Sequence, residues 1–404
     1  MYHQRPRAHS TPRRRSPLRA VPGRATPAPC SILDLAAAVV GKADAAHPAD
    51  SVLRVELRNQ RGLPREAAGE VSRAVFAYYR WLGWLEPDAP LRERLRQALE
   101  LRQRFGAAPH GFSDADLLER AVPGWISGEM DVTARWARQL QTEPVLWLRA
   151  RPGRGEELAR KLGECESAGP GCPGEALRYA GSRDLFRTEA FQAGEFEVQD
   201  LHSQAVGWLC APRPGETWWD ACAGEGGKTL HLSDLMQNQG LIWASDRAEW
   251  RLRRLKQRAA RACAFNYRAV SWSGGPGLPT RTKFDGVLLD APCSNIGTWH
   301  RNPHARWTLS VQDVQELGRV QQGLLAAVAT AVKPGGRLFY AVCTLTRAET
   351  VEVVAAFARQ CPQFTPLPRP DPFDRARGEH AEHWLLPADR PGNGMFVAGW
   401  QRAA

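Results

Sequence analysis

Lysine is nearly missing from this chain: six stand beside 48 arginines in 404 residues. So strong a bias looks like genomic composition, and it makes each retained lysine more informative. Close cysteine pairs are missing as well. Nine cysteines are present, an odd number, but no two form a Cys-x-x-Cys pair and no secretory signal precedes them. That pattern disfavours both a disulfide framework and a four-ligand zinc site. Reduced thiols, a cytoplasmic setting and no bound metal are the expectation. No apolar run approaches the ~20 residues that span a bilayer, so no membrane role is expected. Acidic residues are absent from the first thirty positions, which hold seven arginines and therefore seven of the eleven net positive charges. The remaining body is only mildly basic, which permits a nucleic-acid partner without requiring one.

What is present falls into four stretches. Residues 1–30 are rich in Pro, Arg and Ser without apolar periodicity, and are expected to be a disordered basic tail. An Arg-rich, acid-poor leader also resembles an organelle transit peptide, but six prolines there oppose the amphipathic helix such a peptide needs. Residues 31–135 read as a helical unit. Val71, Val75, Tyr78, Leu82 and Leu85 keep the spacing of one apolar face, and Leu91, Leu95, Ala98 and Leu99 repeat it after Pro90. Residues 136–195 read as a small α+β linking unit, with a strand at 145–149, a Pro152-Gly153 turn and a helix at 156–162. Residues 196–404 alternate strand and helix, with strands expected at 217–221, 241–245, 267–270, 284–289 and 337–342. Short apolar runs bounded by Gly and Pro read as parallel strands covered on both faces, so the expected fold is a doubly wound, Rossmann-like α/β sheet.

The first of these strands runs into Cys222-Ala223-Gly224-Glu225-Gly226-Gly227-Lys228-Thr229, a glycine-rich turn that opens a helix. Such a turn lets the backbone approach a ligand closely, and the helix amino end favours an electron-rich group. Asp246 closes the next strand twenty residues after Gly226, where an acid can bind both hydroxyls of a ribose. A phosphate-binding loop of the G-x-x-x-x-G-K-T kind would need Gly at 222, where Cys stands. A dinucleotide fingerprint starting at Gly224 would need Gly at 229, where Thr stands. A loop for S-adenosylmethionine, which carries a ribose and no phosphates, fits best. The bland alternative is a turn that only packs helix on sheet.

Two cysteines, Cys293 and Cys343, follow buried apolar runs in this same half. Ligands of open parallel sheets bind beyond the strands' carboxyl ends, so both thiols should face one crevice. Carbon 5 of a pyrimidine resists electrophilic methylation until a nucleophile adds to carbon 6, and a cysteine thiolate is suited to that addition. Asp290, three residues before Cys293, is placed to serve nitrogen 3 of the ring. A single strand-end cysteine is more often a small buried hydrophobe. Two of them downstream of the glycine loop, one inside Asp290-Ala291-Pro292-Cys293, reverse that expectation, but chemistry alone does not say which attacks.

These segments resemble the RsmB/NOP/Sun family of RNA cytosine-5 methyltransferases, in the bacterial form that carries a NusB-like extension. The resemblance covers residues 196–400. It is carried by Val198-Gln199-Asp200, the Gly-Gly-Lys-Thr loop end, Asp290 to Ser294, Arg301-Asn302-Pro303, Lys333-Pro334-Gly335-Gly336, Tyr340 to Leu345 and Gly394 to Ala398. It implies that Cys343 is the nucleophile and Cys293 assists release, that Asp290 serves catalysis and cofactor binding, and that Cys222 to Lys228 and Asp246 line the cofactor site. It further implies S-adenosylmethionine as cofactor and RNA as partner, ribosomal RNA favoured over transfer RNA, handled by a monomer. The alternative reading is a catalytically silent RNA-binding or assembly factor with the same fold. Five positions depart from the family pattern: Gly224-Glu225 replaces Ala-Pro, Trp272 follows the third strand where an acid is usual, Val342 precedes Cys343 where Thr or Ser is usual, and Asn393 holds a usually acidic place. Arg251, Arg253, Arg254, Lys256, Arg258 and Arg261 form a basic run, for which a solvated helix face is a commoner role than phosphate binding. Trp299, His300 and Trp307 are candidates to wall a flipped-out base, although core packing is the expected role of the tryptophans.

Overall fold

Helix starts in the first third of the chain fall where the sequence supplies a cap or a proline. The computed structural model describes residues 31–404 apart from positions 61 and 276, so the tail expected at 1–30 lies outside the described residues. α1 (Ile32–Lys42) begins after Ser31, whose side chain accepts from the Asp34 N–H. α2 (Ala49–Asn59), α3 (Arg65–Arg80) and α4 (Leu91–Ala107) each follow a proline, whose fixed φ suits a helix entry. α5 (Asp114–Arg120) and α6 (Ala134–Gln139) are capped by Ser113 and Thr133. The single apolar face expected from Val71 to Leu85 is interrupted: α3 stops at Arg80, Leu82 lies in a one-turn 3-10 helix and Leu85 is extended. The break lets Trp81 pack edge-on against Trp84 and Phe105, and Gly83 fits only because a Cβ there would meet the Arg120 carbonyl at 2.1 Å.

The linking unit is a four-stranded antiparallel sheet of β1 (Leu146–Ala150), β2 (Cys165–Ser167), β3 (Ala176–Tyr179) and β4 (Phe196–Val198), ordered β2-β3-β1-β4. It carries α7 (Gly155–Leu162) and α8 (Glu189–Gln192). Both edges expected for this unit shift. Trp136, Ala137 and Leu140 pack into the helical core, and β4, just past residue 195, pairs with β1.

Beyond it come α9 (Leu201–Cys210), β5 (Thr217–Asp220), α10 (Gly227–Leu235), β6 (Leu241–Asp246), α11 (Glu249–Arg261), β7 (Tyr267–Ser271) and β8 (Phe284–Asp290). α12 (Ala305–Thr308), α13 (Val311–Ala329), β9 (Val332–Val342), α14 (Val351–Gln360), β10 (Phe364–Pro366), a short pair β11 (Arg369–Pro370) and β12 (Glu379–His380), β13 (Glu382–Leu385) and β14 (Met395–Arg402) complete the chain. The large sheet runs β10-β14-β9-β8-β5-β6-β7, with β13 also on β14. The five expected strands are its parallel part. β14 joins antiparallel and carries β10 and β13, an edge the alternation pattern did not show.

Strand alternation sends neighbouring residues to opposite faces. Trp219, Val287, Leu289, Leu338, Tyr340 and Val342 pack with α13 and α14, while Trp218, Leu288, Phe339 and Ala341 pack with α9 and α10. This is the doubly wound arrangement. Two contacts tie it to the amino-terminal units. Arg306, fully buried, reaches into the helical core and donates to the carbonyls of Arg80, Ala121 and Leu140 at the ends of α3, α5 and α6. Helix carboxyl ends carry partial negative charge, which suits a buried guanidinium; burial, with Arg80 close by, still pushes Arg306 down to about 9. Glu197 on β4 takes Arg258 and Arg261 of α11 as well as Arg151, while Arg149 and Arg151 both pair with Asp234 of α10.

Candidate active site

The carboxyl ends of β5, β6, β8 and β9 open into one cleft of about 1000 Å³, walled by Cys222, Ala223, Gly224, Glu225, Asp246, Asp290, Cys293 and Cys343 among others. Gly226 and Gly227 stand behind that wall. Gly226 has φ +87° and begins α10, and a Cβ on it would strike Leu255 at 2.6 Å, so only glycine brings α10 against α11 here. Gly224, at φ +55°, has open space where a Cβ would stand, and its N–H donates to Asp246 Oδ2 at 3.0 Å while the Ala248 N–H donates to Oδ1 at 2.8 Å. The Asp246 carboxylate is thus fixed with lone pairs left for two hydroxyls. Glu225, the unusual acid of the loop, is answered at 3.9 Å by Arg254. Trp272 is both wall and core: it is buried edge-on against Trp219 and its Nε1–H donates to the carbonyl of Gly277.

At the other end of the cleft the two sulfurs lie 3.2 Å apart. Neither cysteine closes its strand by pairing: β8 ends at Asp290 and β9 at Val342. Pro292 cannot donate to a ladder, so Cys293 swings out into a loop that returns to β9 through the Gly297 N–H on the Cys343 carbonyl. Asn295 sits in this loop at φ +59°, a conformation asparagine tolerates better than most residues. Its Oδ1 accepts from Cys343 Sγ at 3.0 Å and its Nδ2 donates to the Cys293 carbonyl. Lys228, with 11% of its side chain exposed, places Nζ 2.6 Å from Asp290 Oδ2. Burial draws its pKa down, but the Asp290 carboxylate more than offsets this and raises it. Asp220, at the end of β5 with Thr229 donating to it, is pushed up to about 7 chiefly by burial, with Asp290 and Asp246 adding repulsion. The Cys293 thiol is pushed well up, first by its contact with Cys343, then by burial and by the charge on Glu349.

Not all candidates gather here. Trp299 is buried in the helical core against Trp125 and Trp136, Trp307 donates to the Tyr79 carbonyl, and the His300 carbonyl accepts from Arg80. None of the three walls the cleft. Of the basic run, Arg258 and Arg261 hold Glu197, Arg251 lines the cleft, and Arg253 and Lys256 point to solvent. Asn295 and Glu349 did not stand out in the sequence, and Ser294 stood there only as the end of the Asp290 to Ser294 motif, without a role. Only their closeness to the two cysteine motifs could have marked them.

The sheet and the cleft at its strand ends are those of a Rossmann-like methyltransferase. The profile of the family described as 16S rRNA methyltransferase RsmB/F matches residues 207–401. The chain is 31% identical over 338 residues to the ribosomal RNA small subunit methyltransferase B of Xylella fastidiosa, covering 79% of this chain and 73% of that one. It is 33% identical over 304 residues to the probable enzyme of the same name from Synechocystis, covering 71% and 66%. This chain belongs to the RsmB/F methyltransferase family. It spans 40% to 66% of the length of the first three curated relatives it matches. The crystal structure of PH0851 superposes with a TM-score of 0.74 over 92% of this chain and 98% of that one at 22% identity, a likeness of fold. S-adenosylmethionine is the cofactor of this family, and the residues present fit it: Asp246 offers an anchored carboxylate with free lone pairs, and Gly224 leaves the backbone open to close approach.

Proposed function

We propose that this chain transfers the methyl group of S-adenosylmethionine to carbon 5 of a cytosine in RNA, with ribosomal RNA favoured over transfer RNA, as a cytoplasmic monomer. The observation that carries this reading is the pair of sulfurs 3.2 Å apart at one end of a cleft whose other end holds Asp246. The Cys343 thiolate adds to carbon 6, and the electron pair moves to carbon 5. Carbon 5 then takes the methyl group, and S-adenosylhomocysteine leaves. Loss of the carbon 5 proton to a base re-forms the double bond and expels the Cys343 thiolate. Asp290, with Lys228 beside it, serves the nitrogen 3 side of the ring, where charge builds during addition. Cys293, held as a thiol, is suited to give its proton to the departing Cys343 thiolate, and the Cys293 thiolate so formed is the base that takes the carbon 5 proton. The amino-terminal helices are assigned to RNA binding.

The test is transfer of tritiated methyl from the cofactor into total RNA, followed by bisulfite sequencing of that RNA. Label at a cytosine is expected. No label in any RNA would leave the silent assembly factor as the better reading, and label at an atom other than carbon 5 would overturn the chemistry.

A further inference from the structure

We propose that Glu349 is a positioning residue that clamps the two thiol loops together and keeps the two sulfurs chemically distinct. The proposal rests on the covalent reading above for what the thiols do, and goes beyond it in naming what holds them. Glu349 follows β9 by seven residues and is fully buried, yet among the described residues no cation pairs with it. Its carboxylate instead accepts four hydrogen bonds from neutral donors. Oε1 takes the Ser294 N–H and the Gln321 Nε2–H, both at 2.9 Å. Oε2 takes the Thr346 hydroxyl at 3.0 Å and the Ser294 hydroxyl.

The donors are neighbours of the sulfurs. Ser294 adjoins Cys293, and its Oγ lies 3.0 Å from the hydroxyl of Thr344, which adjoins Cys343. Gln321 also donates to the carbonyl of Pro292, on the other flank of Cys293. The Tyr340 hydroxyl fixes the far side, lying 2.7 Å from the Glu349 carbonyl and 2.8 Å from Gln321 Oε1, with its one hydrogen directed to these two acceptors. One carboxylate therefore ties the Cys293 loop on both flanks of its sulfur, through Ser294 and through Gln321, and the Cys343 loop on its carboxyl side, through Thr346 and the Ser294–Thr344 contact. A buried anion satisfied only by dipoles keeps its field, whereas one beside a guanidinium is largely cancelled. Cys293, whose neighbour Ser294 binds that carboxylate directly, is held protonated first by its contact with Cys343 and by burial, and the Glu349 charge adds to this. A protonated Cys293 can donate to a Cys343 thiolate 3.2 Å away, which is the polarity that attack from Cys343 needs. The other ionisable groups around the pair are Lys228, Asp290 and Tyr340.

Alkylation by iodoacetamide across a pH series, with each cysteine followed by mass spectrometry, reads this order without needing substrate. In the unaltered chain Cys343 is expected to react ahead of Cys293. In Glu349→Gln, which keeps the shape and removes the charge, Cys293 should become reactive at lower pH and the Cys343-to-Cys293 rate ratio should fall about fivefold or more. Ser294→Ala leaves the charge and cuts one tie, so the ratio should fall less, and this variant decides the matter alone if Glu349→Gln does not fold. A purely structural Glu349 would lower the melting temperature and leave the ratio and its pH dependence unmoved. Unchanged ratios in folded variants with unaltered S-adenosylmethionine affinity would overturn the proposal. Failure of the unaltered chain to methylate RNA would count against the proposed function, while the alkylation order would still decide the role of Glu349.

Discussion

Glu197 and Glu349 are both buried, at 2% and 0% exposure, but among the described residues Glu197 meets three guanidinium groups and Glu349 meets none. The first lies where the linking sheet rests on α11, the second where two loops carry sulfur. At the joint, charge is neutralised, and the result is adhesion between units that local chain geometry would not hold together. At the thiols, charge is solvated by hydroxyl, amide and backbone dipoles and left to act on its surroundings. A buried carboxylate is thus a fastener in one region and a source of field in the other, and the partner set tells which.

The sharpest separation of the regions is expected from the sulfurs themselves. Cys343→Ala should abolish methyl transfer and covalent capture of RNA, since no addition to carbon 6 can occur. Cys293→Ala should methylate yet stall in release, leaving an adduct that survives denaturing electrophoresis. The double variant should lose the adduct again. Accumulation in Cys343→Ala instead would exchange the two roles.

The next largest effect belongs to the joint. Glu197→Ala should cost about 3 kcal/mol in a denaturant titration, because it leaves partly buried guanidinium groups facing one another, while the alkylation order of the thiols stays as in the unaltered chain. The pH dependence has a definite sign. Burial raises the Glu197 pKa, but Arg258 and Arg261 outweigh this and hold it below its ordinary 4.5. Its contribution is therefore present above pH 4.5 and is lost as pH falls through the lower folded value. The stability gap between the unaltered chain and Glu197→Gln should be full at pH 7 and close in acid. A gap that widened in acid would contradict the ion-pair account.

Much of the site's outline was legible because it depends on residues close in sequence. The glycine turn, Asp246 and the two cysteine motifs each sit at a strand end, and apolar runs mark the strand ends. Partner choice was not legible. Arg258 and Arg261 looked like members of a solvated basic face, because the carboxylate that claims them is more than sixty residues away on β4. Glu349 carried no sequence signal at all, because its donors come from a loop 55 residues upstream and a helix 28 residues upstream. The β14 edge was hidden for a different reason: an antiparallel strand added after the last helix breaks the strand–helix alternation on which the reading relied. Trp299 was ambiguous for want of the helical partners that enclose it.

A smaller effect is expected at the cofactor end. Asp246→Ala removes the carboxylate held by the Gly224 and Ala248 N–H groups, and should weaken S-adenosylmethionine binding by more than ~1 kcal/mol in calorimetry. Unaltered affinity would remove Asp246 from the site. Because Asp246 is remote from the Glu349 clamp, the thiol alkylation order should not change in this variant.

The smallest effect separates the two kinds of arginine within one helix. Arg258 and Arg261 face Glu197, whereas Arg253 and Lys256 on the same helix are exposed, and the Arg253 contact with Glu249 is a loose surface pair at 3.9 Å. Exposed pairs of this kind contribute little to stability, so Arg253→Gln combined with Lys256→Gln should leave the denaturation midpoint nearly unchanged. If this face touches RNA phosphates, each lost contact removes about one from the slope of log affinity against log salt concentration. A fluorescence-anisotropy titration of RNA at several salt concentrations is expected to show a slope shallower by about two in the double variant, with weaker binding at low salt. An identical slope would make these side chains solvated surface and send the RNA path elsewhere. A fall in stability would instead mean that the exposed half of α11 shares the fastening role of Arg258 and Arg261.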